Sequence, residues 1–424
     1  MANIMLLMTA ITILLATRKT EGAQVPAMFV FGDSMVDPGN NNDLLTVAKA
    51  NYYPNGIDFA IGTTGRYCNG GTVVDHLGKI PHEHAITALI KLASKFNMNV
   101  SVSLRCLWFT FGNLLGLPLI PPFNSPTTTG SNILRGVNYG SAASGILWDT
   151  GLIYGDVFTL DEQIQNLKIT LQQLHLLLGN GTADFLARSL FFVGMGANDY
   201  INNYLHPLPR KSRTYTPVAF TQLLIHEYRR QLEDLHDLGA RKILVAGVPP
   251  LGCTPNQIGG SNDSRGECIR SSNTLAVQFN SQVKLLVHQL NTTLPGSSLL
   301  FWDTYSLIHN IIDNYLLYGD PLLLYLSTSF LLLRPVSFAC WLSDDSWVIA
   351  GFKYPNKACC GVGRSKGQVM CLPLLPLECR NRSEYIFWDP YHATDALNAI
   401  AAKDAYQGTL HLTFPINVEQ LVRS

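Results

Sequence analysis

The hydrophobic pattern of the chain is a series of short apolar runs that end in turn residues, separated by longer stretches with helical spacing. The first run, at 27–31, stops at Gly32 and suits a strand buried on both faces, although periodicity alone leaves a helix open. Four more runs of this kind occupy 136–141, 190–193, 242–246 and 298–302. Between them a helix is predicted over 217–238: Thr216 can cap it, Pro217 suits its first turn, and Gly239 closes it. Leu224, Tyr228, Leu232 and Leu235 form its apolar stripe. A second helix fits 273–290, with Leu275, Phe279, Val283 and Leu286 on one side, and a third fits 394–406. Strands alternating with helices imply a parallel sheet between helical layers.

The ends of the apolar runs carry the candidate chemistry. In an open parallel sheet the loops beyond the carboxyl ends of the strands meet the substrate, so Ser34 of Gly32-Asp33-Ser34 reads as a nucleophile, or else as an ordinary turn serine. Asn198, after the run at 190–193, can donate its amide to a developing oxyanion or merely close a turn. Residues 138–145 offer small side chains and free backbone N–H groups at another run's end. Near the C-terminus, Asp389 precedes His392 by three residues in a tight turn, so the carboxylate can hold Nδ1–H while Nε2 faces a serine. His226, His236 and His288 lie on predicted helix faces and read as solvated or packed. The Gly-x-Ser-x-Gly match at 363–367 has no apolar strand before it and lies in a Gly- and Cys-rich loop, so it is not a nucleophile elbow.

Composition narrows the setting. Thirty basic residues balance thirty acidic ones among 424, which leaves no electrostatic footprint for nucleic acid or an anionic membrane. The apolar stretch at 4–16, with small residues near 22–23, predicts a signal peptide over 1–23; the stretch itself is too short for the roughly 20 residues of a membrane span. Secretion agrees with five Asn-x-Ser/Thr sequons, at Asn99, Asn180, Asn262, Asn291 and Asn381. Of nine cysteines, Cys253, Cys268, Cys359, Cys360, Cys371 and Cys379 cluster late, with no Cys-x-x-Cys pair, which favours disulfides over a metal site. Their connectivity stays open at this point.

Gly-Asp-Ser near the start, Gly-x-Asn-Asp in the middle and Asp-x-x-His near the end resemble, in that order, the SGNH hydrolases, specifically the plant-type GDSL esterases and lipases. The resemblance extends over 31–42, 65–75, 115–123, 133–151, 191–204, 238–255 and 381–395. It implies an α/β fold, a flavodoxin-like three-layer sandwich with a parallel sheet of about five strands, as a single domain over 24–424. It further implies Ser34 as nucleophile, His392 as base and Asp389 as orienter, with an oxyanion hole from the Ser34 N–H, Asn198 and a glycine carried to Gly145, or less directly Gly140. The expected activity is that of a secreted serine esterase on small-molecule, lipid or polymer-linked esters, needing no metal or organic cofactor. An acyltransferase using the same site and an inactive secreted binding protein are the competing readings. Loops 52–69 and 198–209 are expected to shape the pocket.

Two segments depart from the family pattern, at 79–112 and 320–351, each interrupting a recognisable run. They read as untypical insertions, either retained introns or a lid or membrane-docking element. Setting aside their Cys106 and Cys340 leaves the six late cysteines and Cys68.

Overall fold

A computed structural model describes residues 23–78, 114–206, 208, 211–261, 266–318, 351–373, 375 and 377–424. The signal peptide expected over 1–23 lies outside them except for Ala23, and so do the two expected insertions except for Gly351. Strands β1 (Met28–Gly32), β2 (Leu190–Gly194), β3 (Lys242–Ala246) and β4 (Ser298–Trp302) are parallel neighbours in that order. Strands β5 (Tyr354–Ala358) and β6 (Tyr385–Phe387) pair separately, and β7 (Thr413–Phe414) closes the main sheet antiparallel to β4.

The run at 136–141, expected as a strand, is not one. It lies parallel to β1 through a single bridge, Val30 with Asn138, and Asn138 makes a second parallel bridge on its other side with Pro122. Val30 N–H donates to the Val137 carbonyl, and Tyr139 and Ser141 donate to the carbonyls of Val30 and Gly32. Farther along, its polar groups are taken by side chains: Asn40 donates to the Asn138 and Gly140 carbonyls, and Asp37 accepts from Ala142 N–H. Counting this segment as the second chain in sequence, the sheet reads 2-1-3-4-5, the flavodoxin-like order, and its switch point falls between β1 and β2.

The helices used below are α1 (Val73–Gly78), α2 (Leu160–Leu178), α3 (Pro217–Asp237), α4 (Arg270–Thr293), α5 (Thr304–Asp313) and α6 (Asp395–Gln407). Strand alternation sorts the core into two halves. Phe29, Phe31, Phe191, Val193, Ile243 and Val245 pack with Leu167 of α2, Leu232 of α3 and Phe279 of α4. Met28, Val30, Leu190, Phe192, Leu244 and Trp302 pack with Val74 of α1, Ile311 of α5 and Ala402 of α6. Both faces are therefore covered, which is why the strands lack polar alternation. Helix α3 begins where Thr216 accepts from Ala219 N–H, and α4 runs three residues past each expected end.

Three disulfides join Cys253 to Cys268, Cys359 to Cys379 and Cys360 to Cys371, and leave Cys68 buried and free. The expectation for the late cysteines is met. Asn180 and Asn381 are exposed, whereas the Asn291 side chain exchanges two hydrogen bonds with the Leu299 backbone; Asn99 and Asn262 lie outside the described residues.

Candidate active site

Strand β1 ends at Gly32, a position where nothing larger fits. A Cβ on Gly32 would come within 2.5 Å of Val36 Cγ2 and 3.0 Å of the Gly194 carbonyl oxygen. The chain then turns, with Val36 and Asp37 N–H both donating to the Asp33 carbonyl, and Ser34 is left half-buried at the sheet's carboxyl edge. Asp37 stabilises the next turn by accepting from Gly39 and Asn40 N–H at 2.7 Å each. Its other oxygen takes Ala142 N–H at 2.9 Å, and Asn41 donates to the Ala142 carbonyl, so the serine loop and residues 138–142 are stitched together.

The candidate base, His392, arrives from the other end of the chain. Residues 388–392 form a tight loop closed by Trp388 N–H donating to the His392 carbonyl at 2.7 Å. Inside it, Asp389 Oδ1 accepts from the N–H groups of Tyr391 and His392. The carboxylate, wholly buried, lies 2.7 and 2.8 Å from His392 Nδ1. On the far side of the ring, Nε2 is 2.8 Å from Ser34 Oγ. Tyr67 packs tilted on the imidazole at 4.7 Å. Acceptors on Nδ1 fix the tautomer that leaves Nε2 free to take the serine proton.

Asn198 follows β2 across the switch point. Its Nδ2 donates to the Ser144 carbonyl at 3.0 Å and to Asp33 Oδ2 at 3.3 Å, while its Oδ1 accepts from Asn202. Gly145 stands nearby, but its Cα faces Asp199, and an added Cβ would lie 2.5 Å from Asp199 Oδ2. Asp199 also accepts from Ile146 N–H, Leu147 N–H and Thr150 Oγ1, which anchors this turn to the residue after Asn198. Gly140 donates to Asn138 Oδ1. In the same turn Ala143 adopts φ 67°, a left-handed conformation that an alanine rarely takes. Burial pushes the carboxyls of Asp33, Asp37 and Asp199 up to about 6, against the backbone N–H groups that lower them.

Sequence reasoning missed several supports. The side-chain amide of Gln163, fully buried on α2, accepts from Gly32 N–H at 3.0 Å and donates to the Gly32 carbonyl at 2.9 Å, so it pairs with the strand end as a peptide would. Arg66 forms a buried bidentate pair with Asp75 and donates to the Pro38 carbonyl. The Tyr67 hydroxyl, buried beside the base, has no hydrogen-bond partner among the described residues. No spacing pattern marks Gln163, since its partner is distant in sequence. Arg66 and Tyr67 fall in a loop expected to shape the pocket, but the sequence singles out neither of them, and both are buried. As for Gly-x-Ser-x-Gly, Ser365 sits in a 3-10 turn with no strand leading into it.

A family profile described as GDSL-like Lipase/Acylhydrolase matches residues 28–405. The chain belongs to this family. Two Arabidopsis thaliana proteins named GDSL esterase/lipase are 40% and 39% identical to it, over 95% and 94% of this chain and 90% and 85% of their own lengths. GDSL esterase/lipase 7 of the same plant is 38% identical over 94% of this chain and 92% of its own length. Membership of the GDSL family makes the protein a hydrolase of the esterase/lipase type.

Proposed function

We propose that the protein is a secreted serine esterase that cleaves carboxylic esters through Ser34, His392 and Asp389. The observation that carries this reading is the unbroken line of hydrogen bonds from Asp389 through His392 to Ser34 Oγ. His392 Nε2 takes the Ser34 proton as Oγ bonds to the acyl carbon, and the new oxyanion is held by the Ser34 N–H, the 141–145 turn at Gly145, and Asn198. The carbon–oxygen bond to the alcohol then breaks, and His392 returns its proton to that alcohol. Water, deprotonated by His392, attacks the acyl-enzyme; the bond to Oγ breaks and Ser34 is reprotonated. Asp389 keeps the imidazole oriented and stabilises its cation throughout. Secretion is supported by the three disulfides, by exposed Asn180 and Asn381 as candidate glycan acceptors, and by the apolar sequence at 4–16.

The test uses purified protein and p-nitrophenyl esters. Ser34→Ala is expected to lower kcat by at least about 10⁴-fold and to abolish labelling by a fluorophosphonate. Asn198→Ala is expected to lose about 10² to 10³ in kcat and to keep the label. A Ser34→Ala protein with full activity would overturn the assignment.

A further inference from the structure

On the face of the sheet that carries α1, α5 and α6, the core is not filled. A cavity of about 70 Å³ lies between the carboxyl ends of β2, β3 and β4 and helix α6. Its walls are Phe192, Ala246, Trp302, Ile308, Leu397 and Ala401. Three polar side chains are in the wall: Asp33, whose Oδ2 accepts from Asn198 Nδ2, and Thr304 and Asn398, whose donors are engaged elsewhere, Thr304 Oγ1 with the Gly247 carbonyl at 2.6 Å and Asn398 Nδ2 with the Gly71 carbonyl at 2.9 Å; the rest of the lining is apolar. The space is therefore apolar over most of its depth, and such cavities hold hydrocarbon better than water.

The residues around this void give it a use. Most of the lining is buried, but Met35, Ala197 and Pro249 keep some solvent exposure. Met35 and Ala197 adjoin Ser34 and Asn198 in the chain, and Ala393, also in the lining, adjoins His392. Chain neighbours of Ser34, Asn198 and His392 therefore line the slot, and two of them, Met35 and Ala197, keep some exposure.

We propose that this cavity is the acyl-chain site of the enzyme, selecting esters with a medium-length saturated acyl group. The proposal rests on the ester-hydrolysis reading above. Acyl rather than alcohol is assigned because the alcohol departs in the first half-reaction, whereas the acyl group stays bonded to Ser34 until water arrives. One water-sized group needs about 10–15 Å³ of such space, so the cavity takes roughly five to seven of them, which corresponds to hexanoyl through octanoyl tails.

The experiment measures kcat/KM across p-nitrophenyl esters from acetyl to dodecanoyl and across alkyl acetates of increasing alcohol length. For the native chain, kcat/KM is expected to rise by up to about fourfold per methylene to a maximum at hexanoyl to octanoyl, then fall. Ala401→Leu fills the slot and is expected to reduce the octanoyl-to-acetyl ratio at least tenfold. Ile308→Ala enlarges it and is expected to move the maximum toward longer acyl chains. Damage to the fold would lower all chain lengths alike, so opposite shifts from the two variants are diagnostic. A flat profile, variants that scale every ester equally, or a profile that follows the alcohol length instead would each overturn the proposal. Failure of the ester-hydrolysis reading is recognised separately, as absence of turnover on every ester together with no fluorophosphonate label on Ser34.

Discussion

The proposed nucleophile is held by a residue outside the proposed catalytic set. Gln163 supplies both a donor and an acceptor to Gly32, 131 positions away, and so fixes the last peptide of β1 before the chain turns to Ser34. In Gln163→Ala the Gly32 carbonyl keeps Ser141 N–H, but the Gly32 N–H is orphaned in the core. Such a buried donor costs about 1–3 kcal/mol, and small displacements of a reacting group cost up to about 10²-fold in rate. The expected outcome is a lower urea midpoint and a kcat reduced well beyond any change in KM; a variant that loses only stability would make Gln163 a structural residue alone. What could be read from the sequence follows from distance. Asp389 and His392 are legible because three residues in a turn bring them together, and Ser34 because an apolar run ends at it. Gln163 and Tyr67 are not, because Gly32 and His392 meet them only in three dimensions, and neither is Arg66, whose pairing with Asp75 follows no helical or strand spacing. Ala143 breaks a local rule, an alanine where the backbone favours glycine, and composition gives no hint of its φ.

Between elements, the late disulfides act as the foundation of the base-bearing turn. Cys359 and Cys360 N–H donate to the carbonyls of Phe387 and Trp388, the two residues before Asp389. Their sulfurs cluster with Tyr385 and Trp388, and the Trp388 indole donates to Asn55 in the loop beyond the serine. Bridges closing loops of 11 and 20 residues constrain the unfolded chain by about 3 kcal/mol each in the entropic account. Replacing Cys360 and Cys371 together by serine is expected to cost about that much. It is also expected to raise the thermal sensitivity of activity more than that of far-ultraviolet circular dichroism, because the turn loosens before the sheet melts. Coincident loss of both signals would contradict this. The strands were legible as elements since each is an uninterrupted apolar run. The segment at 136–141 is not legible in this way, because two of its carbonyls, of Asn138 and Gly140, are taken by the Asn40 side chain, which a strand pattern does not register.

For the whole molecule, the open question is whether the domain needs 79–113 and 319–350, and the described residues on either side of them argue that it does not. Leu115 N–H donates to the Leu77 carbonyl at 3.2 Å, and Leu117 N–H donates to the Gly78 carbonyl at 3.3 Å. If Gly78 were joined directly to Leu114, these bonds would run from residue i to i+3 and to i+4, the register of a continuing helix end. Gly116, at φ 70°, then supplies the left-handed residue that commonly terminates a helix. At the second site Phe352 N–H donates to the Tyr318 carbonyl at 2.7 Å, so those ends also meet without an intermediary. A chain lacking 79–113 and 319–350 is therefore expected to express as a folded protein with the Ser34, His392 and Asn198 arrangement intact. Its ester turnover should match that of the full chain. Its unfolding free energy should be equal or higher by up to about 3 kcal/mol per segment, the closure entropy of a loop of roughly 35 residues. Measuring esterase activity and urea unfolding on the shortened and full chains side by side decides the matter; a shortened chain that is insoluble or inactive would show that the segments are part of the domain.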